Sequence, residues 1–346
     1  MANAIEKVNT IAIASIEAIN TRTDANIEKL NTLEFTGSLP GLIDLTYSGL
    51  TWTASTVIAA NNYGGSHIGT ATAGGVIIAD RETLQEWNGT GTTGSWSTED
   101  SMSGKHSAAV SGGTQTAGVV AGGYNSTAGA GTDVTEEYDG SSFSTAGSMD
   151  MVSGTTGASG GGNAQTNIIA TGGSTYSPTV RDIASTELYN GSTWSDAGDD
   201  SNGLSGSACV GTTNFVKISG SFDASGIQEA CEYFTSSTTT WSSIANLSNK
   251  TRYNKCWGDE TRAFTCGGYG RDDYGAPIYY SYHDKCDMWT DNSWASQTAL
   301  PVAHGGLGVG GSDGGTNVGG GWTTGGDSGQ GNSYSHLTSH YIAVAS

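Results

Sequence analysis

Short apolar runs recur along most of the chain, separated by polar and glycine-rich stretches, and most are accompanied by a doublet of small residues. Runs of this length are typical of buried strands rather than helices. The doublets are Gly74-Gly75, Gly122-Gly123, Gly172-Gly173, Ser219-Gly220, Gly267-Gly268 and Gly319-Gly320. Their successive spacings are 48, 50, 47, 48 and 52 residues. A period of roughly 40–50 residues predicts a β-propeller made of repeated four-stranded sheets, or blades.

A second repeated signal is a pair of aromatic residues on either side of a turn. In several copies the turn begins with Asn-Gly or Asp-Gly, which accept the positive φ angles of a type I′ turn. Each copy therefore predicts a β-hairpin with an aromatic residue on both strands. The six pairs are Tyr47 with Trp52, Trp87 with Trp96, Tyr138 with Phe143, Tyr189 with Trp194, Phe234 with Trp241, and Trp289 with Trp294.

A carboxylate or amide precedes the first aromatic residue by two positions in five of these copies. The residues are Gln85, Glu136, Glu187, Glu232 and Asp287. Glycine doublet, acidic residue, Tyr and Trp together resemble the kelch repeat over about 300 residues. The resemblance implies an all-β fold, a six-bladed propeller. In it, Tyr and Trp fill the spaces between blades and the glycine doublets let the inner strands approach the axis.

The first and last repeats are incomplete, which bears on how the ring closes. No doublet precedes Tyr47 and Trp52, and no Tyr-turn-Trp motif follows the last doublet, although Tyr334 and Tyr341 do. We therefore expect one blade to be shared by the two ends, so that 38–346 is one propeller closed by their pairing. The segment 340–342 is either a strand of that blade or an extra tail.

Residues 1–37 lack the pattern of short apolar runs, and their apolar positions instead repeat every eleven residues. An eleven-residue period is typical of helices that associate in a right-handed supercoil. A single helix of this length is poorly stable in water. It must therefore meet copies of itself, dock on another protein, or pack against the propeller. Gly37 and Pro40 are expected to end it. The predicted oligomerisation or docking stripe is Ile5, Val8, Ile16, Ile19, Ile27 and Leu30.

The N-terminal segment also resembles the leaders of structural proteins from tailed bacteriophages, particularly marine ones. This resemblance implies that residues 1–37 attach the protein to a virion, and hence to other virion proteins, after assembly in the host cytoplasm. It also suggests a homotrimer with the C-terminal domain facing outward. The runs that carry it are Glu6-Lys7-Val8-Asn9-Thr10-Ile11-Ala12 and Asn31-Thr32-Leu33-Glu34-Phe35-Thr36-Gly37.

Composition narrows the classes of partner. The formal net charge is −20, with only 13 Lys and Arg, whereas binding to nucleic acid depends on those cations. The same charge disfavours anionic membranes. No segment approaches the ~18 consecutive apolar residues of a transmembrane helix. The apolar core of a secretory signal peptide would be interrupted by Glu6, Lys7 and Asn9. We therefore expect a chain that is made in a cytoplasm and does not insert into a membrane. From the charge, we expect no nucleic-acid partner.

No set of residues in the sequence specifies catalysis, a cofactor or a metal. The five Cys lie between 209 and 286, and their spacing does not match a zinc site. They are expected to be buried side chains, and the formation of one disulfide is an alternative that the sequence leaves open. His336 and His340 are four apart, some 13 Å along a strand. The pairs Asp199-Asp200 and Asp272-Asp273 are expected to be solvated loop acids. The sequence therefore predicts a protein that is not an enzyme, with no cofactor.

The predicted function is a virion fibre or appendage subunit whose propeller decorates the particle or binds a host-surface glycan. Two alternatives remain open at this point: a carbohydrate-active enzyme on a kelch scaffold, and a purely structural decoration or connector protein. The candidates for surface recognition are aromatic residues in the longest, least regular connections. They are Tyr274, Tyr279, Tyr280, Tyr282 and Trp322.

Overall fold

The computed structural model describes residues 50–55, 66–69, 73–77, 82–88, 93–150, 155–156, 158–175, 183–221, 226–272, 279–290, 293–301, 303, 308–311, 321–324 and 340–345. All of them belong to one compact unit that begins at Ser48. The six stripe residues at positions 5 to 30 and the predicted helix end at Gly37 lie outside the described residues, so the expectations about them stay predictions. Among the described residues, no helix has the length and hydropathy needed to cross a membrane.

The described regular structure consists of β-strands, numbered here in chain order. They are β1 (Leu50–Ser55), β2 (Ser66–Gly69), β3 (Gly74–Ile77), β4 (Thr83–Trp87), β5 (Trp96–Ser101), β6 (Val110–Thr114), β7 (Ala117–Ala121), β8 (Tyr124–Asn125), β9 (Ala130–Gly131), β10 (Thr135–Tyr138), β11 (Phe143–Thr145), β12 (Thr155–Thr156), β13 (Ser159–Ala164), β14 (Asn167–Thr171), β15 (Ser174–Thr175), β16 (Thr186–Tyr189), β17 (Trp194–Ala197), β18 (Ala208–Gly211), β19 (Phe215–Ser221), β20 (Ile227–Thr235), β21 (Thr240–Ser243), β22 (Thr251–Arg252), β23 (Lys255–Gly258), β24 (Arg262–Cys266), β25 (Tyr269–Asp272), β26 (Tyr279–Tyr282), β27 (Cys286–Thr290), β28 (Ser293–Gln297), β29 (Gly308–Gly311), β30 (Gly321–Thr324) and β31 (His340–Ala345).

Most of these strands form antiparallel four-stranded sheets, five of which each come from one continuous stretch of chain. In each of these five sheets the strands are arranged in chain order, as antiparallel neighbours that follow one another along the chain. The five are sheet I (β2-β3-β4-β5), sheet II (β6-β7-β10-β11), sheet III (β13-β14-β16-β17), sheet IV (β18-β19-β20-β21) and sheet V (β23-β24-β27-β28).

A further four-stranded sheet, sheet VI, combines the two ends of the described chain in the order β29-β30-β31-β1. Leu50 lies opposite Ala345, and Ser55 lies opposite His340. Of the two readings of 340–342, the strand is therefore correct. An edge strand from one end of the chain is hydrogen-bonded to a sheet from the other, so the two ends hold each other in place.

Contacts between the sheets return to their starting point. The first strands β2, β6, β13, β18 and β23 each contact the first strand of the next sheet, and β29 contacts both β23 and β2. Sheets repeated radially around their first strands are a β-propeller, an arrangement that leaves only short edges. The predicted all-β propeller is confirmed.

The hydrophobic core is divided among the spaces between neighbouring sheets. Val120 and Tyr138 of sheet II pack with Ile68 and Leu84 of sheet I, and a similar cluster joins sheets II and III. Because both faces of a sheet are covered, the second strand is apolar along its length instead of alternating. Val119, Val120, Ile168, Ile169, Ala263 and Phe264 accordingly have no exposed surface.

Five of the six aromatic pairs predicted from the sequence are confirmed as opposed residues on the third and fourth strands. Of the sixth pair, Tyr47 lies outside the described residues and Trp52 lies opposite Ala343 on β31. Tyr189 lies opposite Trp194, with ring centroids 5.1 Å apart. The indole of Trp194 then reaches the preceding sheet, where its Nε1 donates to Thr135 Oγ1 at 2.8 Å. Trp241 donates to Thr186 at 2.9 Å in the same way. The pairs therefore fill the spaces between sheets, as expected.

In the hairpins of sheets II and III, the turn between the two aromatic residues differs from the predicted type I′. The opposed aromatics Tyr138 and Phe143 leave four residues in the loop, which is too long for a two-residue turn. Gly140 has a φ of 92°, whereas Asp139 folds the loop through its side chain. Its Oδ1 accepts the backbone N–H groups of Ser141 and Ser142, both at 2.8 Å. A type I′ turn needs two left-handed residues. Here the hydrogen bonds of the Asp139 carboxylate shape the loop in place of the second one.

The glycine doublets do not lie where the kelch resemblance implied. Gly122 and Gly123 follow the end of β7 with φ angles of 67° and 88°, and they turn the chain away from the second strand. Gly74-Gly75 opens β3 instead of following it, which shifts that copy of the repeat by several residues. Gly319-Gly320 lies outside the described residues.

Other glycines, in the first strands, bring neighbouring sheets close together. A Cβ on Gly112 of sheet II would lie 2.5 Å from the carbonyl oxygen of Gly162 in sheet III. A Cβ on Gly161 would lie 2.3 Å from the carbonyl oxygen of Cys209 in sheet IV. Crowding near the axis is therefore backbone against backbone, and only glycine fits there.

We expect Gly161→Ala to lower the free energy of unfolding by about 1–3 kcal/mol, because the added methyl group forces two backbones apart. Gly104→Ala is the matched control, since its Cβ would meet only the side-chain nitrogen of Asn125, at 3.2 Å. Urea denaturation of the two variants measures the difference. Equal stability would contradict the close approach of sheets III and IV.

Candidate functional site

The recurrent acidic residues lie on the third strands, and their side chains are buried. Glu136 accepts the backbone N–H of Ser103 at 3.0 Å and its hydroxyl at 2.6 Å. Glu187 accepts the N–H of Asp150 at 3.2 Å. Ser103 and Asp150 belong to the connections that arrive from the preceding sheet. Glu232 and Ser201 repeat the arrangement. These carboxylates therefore hold the sheet-to-sheet connections, and their role is structural.

Glu136 has an additional partner in His106, which is itself buried. His106 Nε2 lies 3.3 Å from Glu136 Oε1, and its Nδ1 lies 2.8 Å from the carbonyl oxygen of Gly122. Burial alone raises the pKa of a carboxyl group. Hydrogen bonds from His106 and Ser103 outweigh that effect and hold the pKa of Glu136 below its ordinary value. The carboxylate therefore stabilises the fold in its charged form.

Asp200, expected to be a solvated loop acid, is instead buried and ion-paired. Its Oδ2 accepts from the ammonium group of Lys217 and from Thr171 Oγ1, the latter at 2.8 Å. Lys217 is 1% exposed. A buried cation requires an anionic partner. The side chain of Asp200 therefore lies in the interior, where it joins sheet III to sheet IV. Of the other predicted loop pair, Asp272 ends β25 and Asp273 lies outside the described residues.

A small cavity of about 30 Å³ lies among the first strands of sheets I to V. His67 lines it, and burial together with the charge of Lys255 lowers the pKa of His67 to about 3. Burial also lowers the pKa of Lys255. Cys209 and Cys256 line the same cavity as free thiols. In the part of the chain that is described, no three His, Cys, Asp or Glu side chains gather as a metal site.

The structure pairs two of the five cysteines. Cys266 and Cys286 lie directly opposite each other on β24 and β27 and form a disulfide. Cys209, Cys231 and Cys256 are free and buried, as expected. Sequence spacing could not select the pair, because opposition across two strands depends on the length of the loop between them. That loop contains the β25–β26 hairpin.

The most elaborate surface feature is a small three-stranded sheet, in the order β22-β25-β26. β22 lies in the connection from sheet IV to sheet V, and β25–β26 is a hairpin between the second and third strands of sheet V. Tyr269 and Tyr282 are opposed across this hairpin, with ring centroids 5.2 Å apart. The guanidinium carbon of Arg252 lies 4.8 Å from the ring centroid of Tyr253 and 5.3 Å from that of Tyr269. We call Arg252, Tyr253, Tyr269 and Tyr282 the tyrosine–arginine platform.

The residues predicted for surface recognition are only partly brought together. Tyr282 belongs to the platform, and Tyr279 and Tyr280 lie on the same strand, β26. The connection expected to be irregular is therefore a paired hairpin. Trp322 lies elsewhere, in β30 of sheet VI opposite Gly310 and Ile342, because the glycine-rich run before it leads into a strand. Tyr274 lies outside the described residues.

Sequence reasoning missed Arg252, Tyr253 and Tyr269. Tyr253 stands two residues before a first strand, where the backbone is left-handed in three sheets. The φ angles are 53° at Ala108, 63° at Gly206 and 55° at Tyr253. The other two occupants have a small side chain or none, as this conformation favours. A comparison of the residues that stand two positions before each first strand would have shown that Tyr253 is the one large side chain among these three.

The surroundings of Tyr253 hold its backbone and ring in place. Its N–H donates to the carbonyl oxygen of Gly206 at 2.7 Å, and a Cβ on Gly206 would lie 2.9 Å from two ring carbons. The side chain remains 37% exposed. The fold thus requires a left-handed residue at this position, but nothing in the packing requires an exposed aromatic ring. Strain of this kind is often kept for function.

Comparison with known proteins supports the fold alone. No known protein family matches the chain, and no curated protein resembles it in sequence. Among solved structures, that of YjhT is similar, with a TM-score of 0.64 at 13% identity, covering 84% of this chain and 95% of the other. At this identity the similarity establishes a shared β-propeller architecture.

We expect Glu136→Gln to be less stable than the native protein at pH 7 by about 1–3 kcal/mol, since it weakens charge-assisted hydrogen bonds. Because the folded-state pKa lies below the ordinary 4.5, the native advantage is present above that pH and is lost as the pH falls through the folded pKa. Thermal unfolding from pH 3 to 7 measures the difference. Asp100→Asn, at an exposed acid of β5, is the control, and an advantage unchanged at pH 3 would contradict the role of charge.

We expect Tyr253→Gly to leave stability unchanged or raise it by about 1 kcal/mol, since glycine adopts the left-handed backbone without strain. By contrast, Tyr189→Ala removes a buried ring and is expected to cost about 3–5 kcal/mol. Chemical denaturation of both variants tests the assignment. A large loss for Tyr253→Gly would show that the ring supports the fold.

Proposed function

We propose that this protein is a structural subunit of a tailed-bacteriophage virion, in a fibre or appendage. Residues 1–37 attach it to other virion proteins or join it to copies of itself as a trimer, and its propeller faces outward. The support for the first part is the eleven-residue repeat and the resemblance of the leader to phage structural proteins. The virion is accordingly its proposed location, after assembly in the host cytoplasm.

The propeller is proposed to be six-bladed and of the kelch type. The six four-stranded sheets support the number of blades. The type is supported by the carboxylate or amide that stands two positions before five of the six aromatic pairs. In three of the repeats, at Glu136, Glu187 and Glu232, it receives a backbone N–H from the arriving connection.

The observation that carries the outward role is the tyrosine–arginine platform. The buried acids Glu136, Glu187 and Glu232 and the pair Asp200–Lys217 all hold parts of the propeller to one another. The platform instead places the exposed ring of Tyr253 on a small sheet added to the propeller. A binding face for a host-surface glycan accounts for this feature better than decoration alone. Among the described residues, the paired acids Glu136 and Asp200 are buried and hold parts of the propeller together, so they do not favour the carbohydrate-active enzyme.

The assembly role is tested by the light-scattering mass of the full chain and of a 39–346 truncation. The truncation keeps β1, which sheet VI needs. We expect a trimer that becomes a monomer, because the apolar stripe is removed. A full chain that is already monomeric contradicts self-association, and co-purification with virion proteins then tests docking instead.

A pair of full-length variants separates loss of the stripe from loss of the segment. Ile16→Asp places a charge in the stripe and is expected to give monomers, since burying an unpaired charge is costly. Glu17→Gln, one residue further on, changes charge outside the stripe and is expected to keep the trimer. Identical masses for the two variants would contradict the predicted stripe.

A further inference from the structure

We infer that the tyrosine–arginine platform is a binding site for an anionic polysaccharide, with a sugar ring on Tyr253 and a carboxylate or phosphate at Arg252. This inference rests on the proposed outward role of the propeller and names the ligand class of its binding face. The exposed ring of Tyr253 has an apolar face and a polar hydroxyl group at its end. A sugar ring also combines an apolar C–H face with polar hydroxyl groups, so the two surfaces match.

Arg252 contacts two aromatic rings of the platform. Its guanidinium carbon lies 4.8 Å from the Tyr253 ring centroid and 5.3 Å from that of Tyr269. The donors of a guanidinium lie in its plane, in a fork that matches a carboxylate or phosphate. A planar cation beside an exposed phenol is therefore a site for a charged sugar rather than a neutral one.

The stretch of chain that carries the platform is less acidic than the rest of the protein. Residues 250–285 contain six of the 13 Lys and Arg but only five of the 33 Asp and Glu, which leaves seven cations against 28 acids elsewhere. Of the six cations in this stretch, Lys255 lies near His67, where burial lowers its pKa, and Lys250 lies 3.9 Å from Glu229. The cation that the platform itself presents to an anion is therefore Arg252. The six cations are Lys250, Arg252, Lys255, Arg262, Arg271 and Lys285.

Covalent and polar contacts hold the strands of the platform together. The Cys266–Cys286 disulfide joins the two strands that lead into the β25–β26 hairpin. Lys285 Nζ donates to Asn249 Oδ1 at 2.5 Å, which ties the hairpin to the connection that contains β22. The ring of His283 lies so close to Gly270 that a Cβ there would be 1.9 Å from Nε2. A surface held in this way loses little freedom on binding.

The test is calorimetric titration of the full-length protein with alginate, a polymer of uronic acids, beside neutral dextran and a glycerol-phosphate polymer. We expect alginate or the phosphate polymer to bind and dextran not to bind. The preferred polymer then identifies the anion as carboxylate or phosphate. Arg252→Met and Tyr253→Gly are each expected to weaken binding at least about tenfold, while Tyr253→Gly keeps its unfolding temperature.

Two matched controls isolate the platform. Lys105→Met removes an exposed cation on the connection between sheets I and II, and Ala108→Gly changes the equivalent left-handed position in sheet II. Both are expected to bind as the native protein does. Equal binding of dextran, equal loss in the controls, or failure of both anionic polymers to bind would overturn the inference. Because trimer mass is measured separately, such a failure would leave the assembly role standing.

Discussion

The contact between neighbouring sheets is the interaction on which the rest of this structure depends. Each sheet is apolar on both faces, so a single one leaves its second strand in water, and only a neighbour on each side buries it. Opposed aromatic pairs supply much of that contact, and Trp194 and Trp241 add hydrogen bonds to the preceding sheet. The same requirement demands a ring, which β1 completes by pairing with β31 from the other end.

Burying the faces also buries polar groups, and the structure uses them to join parts of the ring. Glu136, Glu187 and Glu232 receive backbone N–H groups of the connections from the preceding sheets. Asp200 and Lys217 form an ion pair between sheets III and IV. Such groups resemble catalytic residues in their burial, and Glu136 also in its lowered pKa, yet their partners are structural. Burial and a shifted pKa therefore do not distinguish function from support in this fold.

The tyrosine–arginine platform stands out because it departs from the repeat. Left-handed backbone recurs two residues before the first strand, and its cost is small at Gly206 and moderate at Ala108. At Tyr253 the fold bears the strain and leaves the ring partly in water. The disulfide and the added three-stranded sheet occur beside it. These departures from the repeat lie together on one part of the surface, which is the physical basis for placing recognition there.

The sequence by itself determined the repeat, the strands, the aromatic hairpins and hence the propeller, because these follow from local periodicity and turn residues. It misplaced the glycines that crowd the axis and read Asp200 as a loop acid, since both depend on which backbone lies alongside. Only the tertiary structure decided the Cys266–Cys286 pair and the contact of Arg252 with Tyr253 and Tyr269. Cys266 lies opposite Cys286 and Arg252 opposite Tyr269. Both distances are therefore set by the pairing of strands that are far apart in the sequence, which no local pattern encodes.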